Sequence, residues 1–189
     1  MTPQGQPITF KCRLDQRCCY AQISNQKYCV SKSTTCSLMF PAAVSDKRRF
    51  DLTQDDYAFV YTNMSMYPGD SGIEAYKDDS QYPDGYVKFL MFGGDAVQIP
   101  DNIRIFNKVG DAYGFLTDAA YIVDTESNVE FILAATVYTN ENETFNDNNY
   151  EYDETGLPFL RELGNALYEV ELERDRDYSP DLSRFAPSE

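Results

Sequence analysis

The sequence predicts an α/β protein of the α+β kind: an antiparallel sheet of at least three strands with a C-terminal helix packed against it. Three observations carry that expectation. Ile103 to Asn140 is the longest run of β-branched and aromatic side chains in the chain, the residue types that fit a pleated, half-buried surface. Two turn signals, Val109-Gly110-Asp111 and the polar Asp124–Asn128, cut that run into pieces of strand length. Behind it, Gly156, Leu160, Leu163, Leu167 and Val170 recur every three or four residues, the period of one helix face.

Taken in order, residues 1–37 differ from everything after them. They are Cys-rich, basic and polar, and no strand or helix period runs through them. From Leu38 onward the chain turns acidic and aromatic. The simultaneous break in charge, Cys content and periodicity suggests a poorly ordered segment foreign to the fold, such as a misplaced start or a shifted frame, ahead of a domain over 38–185. Thr53, followed by Asp55 and Asp56, is a helix N-cap signal, and Tyr57, Val60, Tyr61 and Met64 make one apolar face. Tyr67-Pro68-Gly69 ends that helix, which spans about 53–66. Residues 68–85 read as a long polar loop. Residues 84–92 read as a short buried helix stopped at Gly93-Gly94.

The three strands are expected at 103–108, 112–123 and 129–139. Ala119-Ala120 and Ala134-Ala135 are small enough mid-strand to let a helix sit close. Asn140–Asp153 is a solvated acidic loop. It is rich in oxygen ligands, but the spacing, Gly and final Glu of a calcium loop are missing. The closing helix is expected over about 153–175, with Leu157 and Phe159 widening its stripe and Glu162, Glu169 and Glu171 off it. Gly164 offers a close approach to another element.

Composition narrows the function. The chain has 189 residues, 15 Tyr and 12 Phe, enough for one domain with a real core. Its net charge of −15 is unevenly spread: residues 1–50 carry about +6, and residues 51–189 about −21. Such an acidic body is repelled by nucleic acid and by anionic membrane surfaces. No apolar run is long enough to span a bilayer, and the N-terminus lacks a secretory h-region. The absence of His removes Ser-His-Asp and Cys-His mechanisms and the commonest metal sites, so no metal and no cofactor are expected. A hydrolytic nucleophile here would need Lys, Tyr or a carboxylate as its base. The five cysteines, Cys12, Cys18, Cys19, Cys29 and Cys36, are odd in number and lack the closely spaced pairs of a zinc motif, and read as unpaired thiols.

Lys108-Val109-Gly110 is the string with chemical potential. A Lys two residues before a Gly on a strand edge can hold a carboxylate or tune a nucleophile, while the Gly admits a substrate backbone. By itself the string also fits a hairpin turn with a solvated Lys. In context, KVGDAYGFLTDAAYIVD followed by VEFILAATVYTN and an amphipathic helix resembles the C-terminal part of serine β-lactamases and penicillin-binding-type hydrolases. The resemblance covers about 38–185 and is closest over 103–172. It implies a partial β-lactamase-like domain and an active-site-serine hydrolase working without a metal on β-lactam, peptidoglycan-like or ester substrates.

Carried over by position, the resemblance gives Lys108 and Gly110 catalytic roles beside Asp111, whose backbone N–H matches an oxyanion donor, and makes Lys108 and Val109 substrate-binding. Asp118 falls where the family often has an acid in the next strand; the plainer reading is a buried carboxylate needing hydrogen-bond partners.

The departures are specific. Val109 replaces the family's hydroxyl residue. Ser24-Asn-Gln-Lys27 has the letters of a Ser-x-x-Lys nucleophile motif but precedes Lys108 by only 84 residues. The nearest string to the middle motif is Ser45-Asp46-Lys47, and Glu74 is the nearest thing to a deacylation base. The expectation is therefore a chain inactive on its own, with a non-catalytic carboxylate-binding module as the rival. An incomplete sheet would leave an edge open to association. The resemblance implies a periplasmic or envelope location, while the sequence itself leaves the compartment undetermined.

Overall fold

A computed structural model of the chain describes residues 9–12, 18–22, 39, 50–95, 97–175 and 180–182. Five strands form one sheet: β1 (Thr9–Cys12), β2 (Cys18–Gln22), β3 (Ile103–Ala112), β4 (Phe115–Asp124) and β5 (Val129–Tyr138). Their order is β1-β2-β5-β4-β3. All neighbours are antiparallel except β2 and β5, which run parallel through Cys18 and Cys19 beside Ile132 and Leu133. The expected α+β architecture, an antiparallel three-strand meander with helices, is present.

β1 and β2 lie within 1–37, where the sequence shows no strand period. β1 and β2 are four and five residues long, too short to display a period, and β2 is held by a partner more than a hundred residues later. Of the cysteines, Cys12, Cys18 and Cys19 stand in these strands; Cys29 and Cys36 lie outside the described residues.

The first hairpin corrects the expectation. Val109-Gly110-Asp111 is not a turn; it is paired strand opposite Asp118, Thr117 and Leu116. The chain reverses instead at Tyr113-Gly114, where φ is +52° and +89°. Two successive positive φ values define the tight primed turn that matches strand twist, and Gly114 is the signal for it. Asp124–Asn128 does form the second turn: Asp124 Oδ1 accepts the N–H groups of Glu126 and Ser127, and Asn128 has φ +55°.

Two helices cover opposite faces of the sheet. α1 (Gln54–Ser65) starts with a complete capping box, Thr53 and Asp56 each accepting the other's backbone N–H. Its Tyr61 and Met64 pack against Phe106, Tyr121, Val123 and Ile132. α2 (Leu157–Glu173) lies on the other face, where Leu160, Leu163 and Leu167 join Ile105, Ile122, Phe131 and Leu133 in the larger core. α2 begins later than the period suggests, because Tyr152–Gly156 forms a single π-turn before it. Its stripe also bends: Val170 is exposed, and Glu171 is buried and paired with Arg174.

The expected 84–92 helix is not one. It resolves into a 3-10 turn, Asp84–Val87, and one helical turn, Phe89–Phe92, broken by non-helical dihedrals at Leu90 and Met91. The buried Lys88 stands between the two turns.

Candidate functional site

Among the described residues β3 has a sheet neighbour on one side only, so its other side is an edge of the described sheet. In a two-residue hairpin the flanking residues Ala112 and Phe115 exchange hydrogen bonds, so the backbone groups of Ala112 point inward to β4. Alternation then turns the N–H and C=O groups of Asp111, Val109, Asn107 and Ile105 outward. Two contacts agree with that phase: the Ile105 carbonyl accepts from the Lys88 ammonium, and the Val109 carbonyl accepts from the Lys108 ammonium.

The first half of this edge is covered by the 87–90 segment. Lys88, only 1% exposed, donates to the carbonyls of Met64 (2.8 Å) and Ile105 (3.1 Å) and to Asn107 Oδ1 (2.8 Å). The Asn107 amide donates in turn to the Val87 carbonyl (2.8 Å) and to Asp118 Oδ1 (2.9 Å). Asp118, fully buried, also accepts the Leu90 N–H at 3.1 Å. Burial pulls the Lys88 ammonium down to about 8, against the attraction of Asp118. Burial pushes the Asp118 carboxyl up to about 6, opposed by the hydrogen bonds from Leu90 and Asn107 and by the charge of Lys88. This network satisfies the requirement that a mid-strand carboxylate find partners. Sequence reasoning missed Lys88, although a lone Lys inside Tyr-Val-Lys-Phe-Leu-Met-Phe was its signal.

The second half of the edge, from Lys108 to Ala112, carries the sequence-predicted residues. Strand alternation divides them between the two faces. Lys108 lies on the α1 face, two residues after Phe106, while Val109 packs against the core under α2 and Asp111 follows on that same side. Lys108, Gly110 and Asp111 are exposed. A side chain at Gly110 would meet nothing within 4 Å, so the strand is open to approach there. The structure thus gathers Lys108, Val109, Gly110 and Asp111 on one free edge, with Asp111's N–H facing outward.

On the Val109 side this edge borders a cleft of about 550 Å³. Phe89, Val109, Leu116 and Leu157 form its apolar wall, Tyr86 and Tyr152 flank it, and Asp95, Asp111 and Asp153 stand around it. Asp95 is paired with Arg161 at 2.6 Å. Tyr152 also anchors the hairpin tip, its hydroxyl accepting the Gly114 N–H at 2.8 Å.

The remaining candidates are elsewhere. Glu74 sits on an exposed 3-10 turn and pairs with Lys77 at 2.6 Å. Ser24, Lys27 and Ser45 lie outside the described residues. The 141–149 loop is solvent-exposed and folded on itself, with Asn142 donating to Asp147 at 2.8 Å. Among the described residues no helix is long and apolar enough to cross a membrane. No family model, curated protein or solved structure matches the chain.

Proposed function

We propose that this chain is the C-terminal portion of a β-lactamase-like active-site-serine hydrolase, inactive on its own, in which the β3 edge is the substrate-binding wall. One observation carries the reading: Lys108-Val109-Gly110 lies on a strand edge that no described residue covers, with the lysine on the face away from the terminal helix. In this reading the Lys108 ammonium receives a substrate carboxylate, Gly110 lets the substrate lie close, and the Asp111 N–H offers an oxyanion donor. The Val109 side chain contributes shape but no hydrogen bond. The substrate class is β-lactam or peptidoglycan-like.

The expected result is no turnover of a chromogenic cephalosporin by the 189-residue protein, with weak reversible binding of a fluorescent penicillin. Lys108→Met should weaken that binding about fivefold, the scale of one exposed charge pair. Turnover that disappears in Ser24→Ala would place a working nucleophile in this chain and overturn its inactivity. Penicillin binding indifferent to Lys108 would remove the carboxylate pocket.

A second reading, a non-catalytic binding module, is favoured by one contact. The Lys108 ammonium is engaged by the carbonyl of Val109, and no described hydroxyl bonds it. Covalent acylation by the fluorescent penicillin excludes the module; Lys108-dependent capture of a simple carboxylate, as tight as that of penicillin, favours it.

A further inference from the structure

The cleft beside β3 lies on the opposite side of the strand from Lys108, and the substrate-binding reading assigns it no role. Resting on that reading, we infer that the cleft is a side-chain subsite, selecting an extended peptide-like ligand that carries a protonated amine on an aliphatic stem.

The backbone supplies the first reason. Val109 and Asp111 both turn their N–H and C=O groups outward, so an extended chain can add to this edge as another strand. Residues of an added antiparallel strand share a face with those they oppose. Every second ligand side chain therefore points to the side of Val109 and Asp111, where the cleft opens. The intervening side chains point to the Lys108 side.

The cleft lining supplies the second. Its wall of Phe89, Val109, Leu116 and Leu157 suits methylene groups, and its volume of about 550 Å³ exceeds what one long side chain fills. Among the described residues neither Asp111 nor Asp153 has an ion-pair partner, and no Lys or Arg lines the space. Asp95 is already neutralised by Arg161. The local balance is thus two carboxylates above an apolar wall, complementary to a long side chain ending in an ammonium.

The test is a positional peptide series on the 189-residue protein. N-terminally fluorescein-labelled tetra-alanine with a free carboxylate is varied one position at a time to Lys or norleucine, and binding is read by anisotropy. The expected result is a Lys preference of about fivefold at alternating positions only, as two partly exposed charge pairs would give. That preference should vanish in Asp111→Asn/Asp153→Asn and shrink at high salt. Long-range attraction to the acidic body predicts the same Lys preference at every position. That outcome, or an alternating preference surviving in the double variant, overturns the subsite.

The two readings fail separately. Lys108-dependent binding without alternation sinks only the subsite. Alternation that ignores Lys108→Met sinks only the carboxylate reading. Failure of every peptide to bind sinks both.

Discussion

At the scale of single residues, the decisive group is a lysine that forms no ion pair among the described residues. Lys88 is held by two carbonyls and an amide oxygen, with Asp118 reached through Asn107 rather than directly. Both ionised groups are taken from water, and both titrate accordingly. Asp118 has a folded value near 6 against 3.8 outside the fold, so its stabilising contribution is complete below about 3.8 and is lost as pH rises through 6. Lys88 has the opposite sign: lowered from 10.5 to about 8, its contribution is present above 10.5 and is lost as pH falls through 8.

The expected outcome is that the unfolding free energy of the native chain, relative to Asp118→Asn, falls by roughly 2 kcal/mol between pH 4 and pH 7. That figure follows because a carboxyl held protonated from 3.8 up to about 6 loses about 1.36 kcal/mol of stabilisation for each pH unit crossed. Urea titrations of both proteins at each pH check it; a constant difference across that range sinks it. Asp118 is visible in the sequence as a carboxylate in a strand. Lys88 escapes notice there because its neighbours spell a helix, and only the tertiary site explains a charge among them.

At the scale of elements, what can be read depends on how local the determinant is. The N-cap of α1, the Asp124–Asn128 turn and the Leu160-Leu163-Leu167 face are local patterns, and they stand. The first hairpin is displaced from its expected position because two glycines, Gly110 and Gly114, compete for the turn. The successive positive φ values fall at Tyr113-Gly114, which leaves Gly110 inside the strand. The 84–92 segment departs from a helix because Met91 adopts φ +75°, a conformation no propensity scale anticipates for Met.

That distorted turn packs against α2 through Gly164, where a Cβ would come within 2.5 Å of the Met91 backbone nitrogen. Asn165 and Arg161 fasten the same turn, donating to the carbonyls of Met91 (3.1 Å) and Gly93 (3.2 Å). Gly164→Ala should therefore destabilise the protein by about 1–3 kcal/mol, despite the better helix propensity of Ala, because backbone rather than a flexible side chain must give way. Thermal denaturation read by circular dichroism tests this. A neutral or raised midpoint would mean that the contact yields.

At the scale of the whole molecule, the charge separation written in the sequence dominates. Residues 51–189 carry about −21, and the charges pair poorly: Arg161 and Arg174 neutralise Asp95 and Glu171, while most of the acidic excess faces solvent. Self-repulsion of that kind is screened by salt. The unfolding midpoint should rise on going from about 10 mM to about 500 mM NaCl, by a few degrees on the usual scaling of about 1 kcal/mol. A midpoint that is flat or falling would show that the fold's paired charges outweigh the unpaired ones.

The meander and its helices are legible because they are contiguous in sequence. The five-stranded whole is not, since β2 joins it by a parallel pairing to β5 that no local pattern announces. The candidate site lies between these cases: Lys108-Val109-Gly110 can be picked out by its letters, whereas the cleft beside it needs three separated segments and cannot.

The bare half of β3 has one more consequence, for the crowded conditions of synthesis. A strand rim with unmet amides invites a second molecule to zip onto it, and that recruitment can repeat without end. Lys108 and Asp111, opposite charges on either side of Gly110, are exposed there, and charges on a strand edge are what interrupts such pairing. A strand that cannot match those charges, such as another copy of this one out of register, is a poor guest.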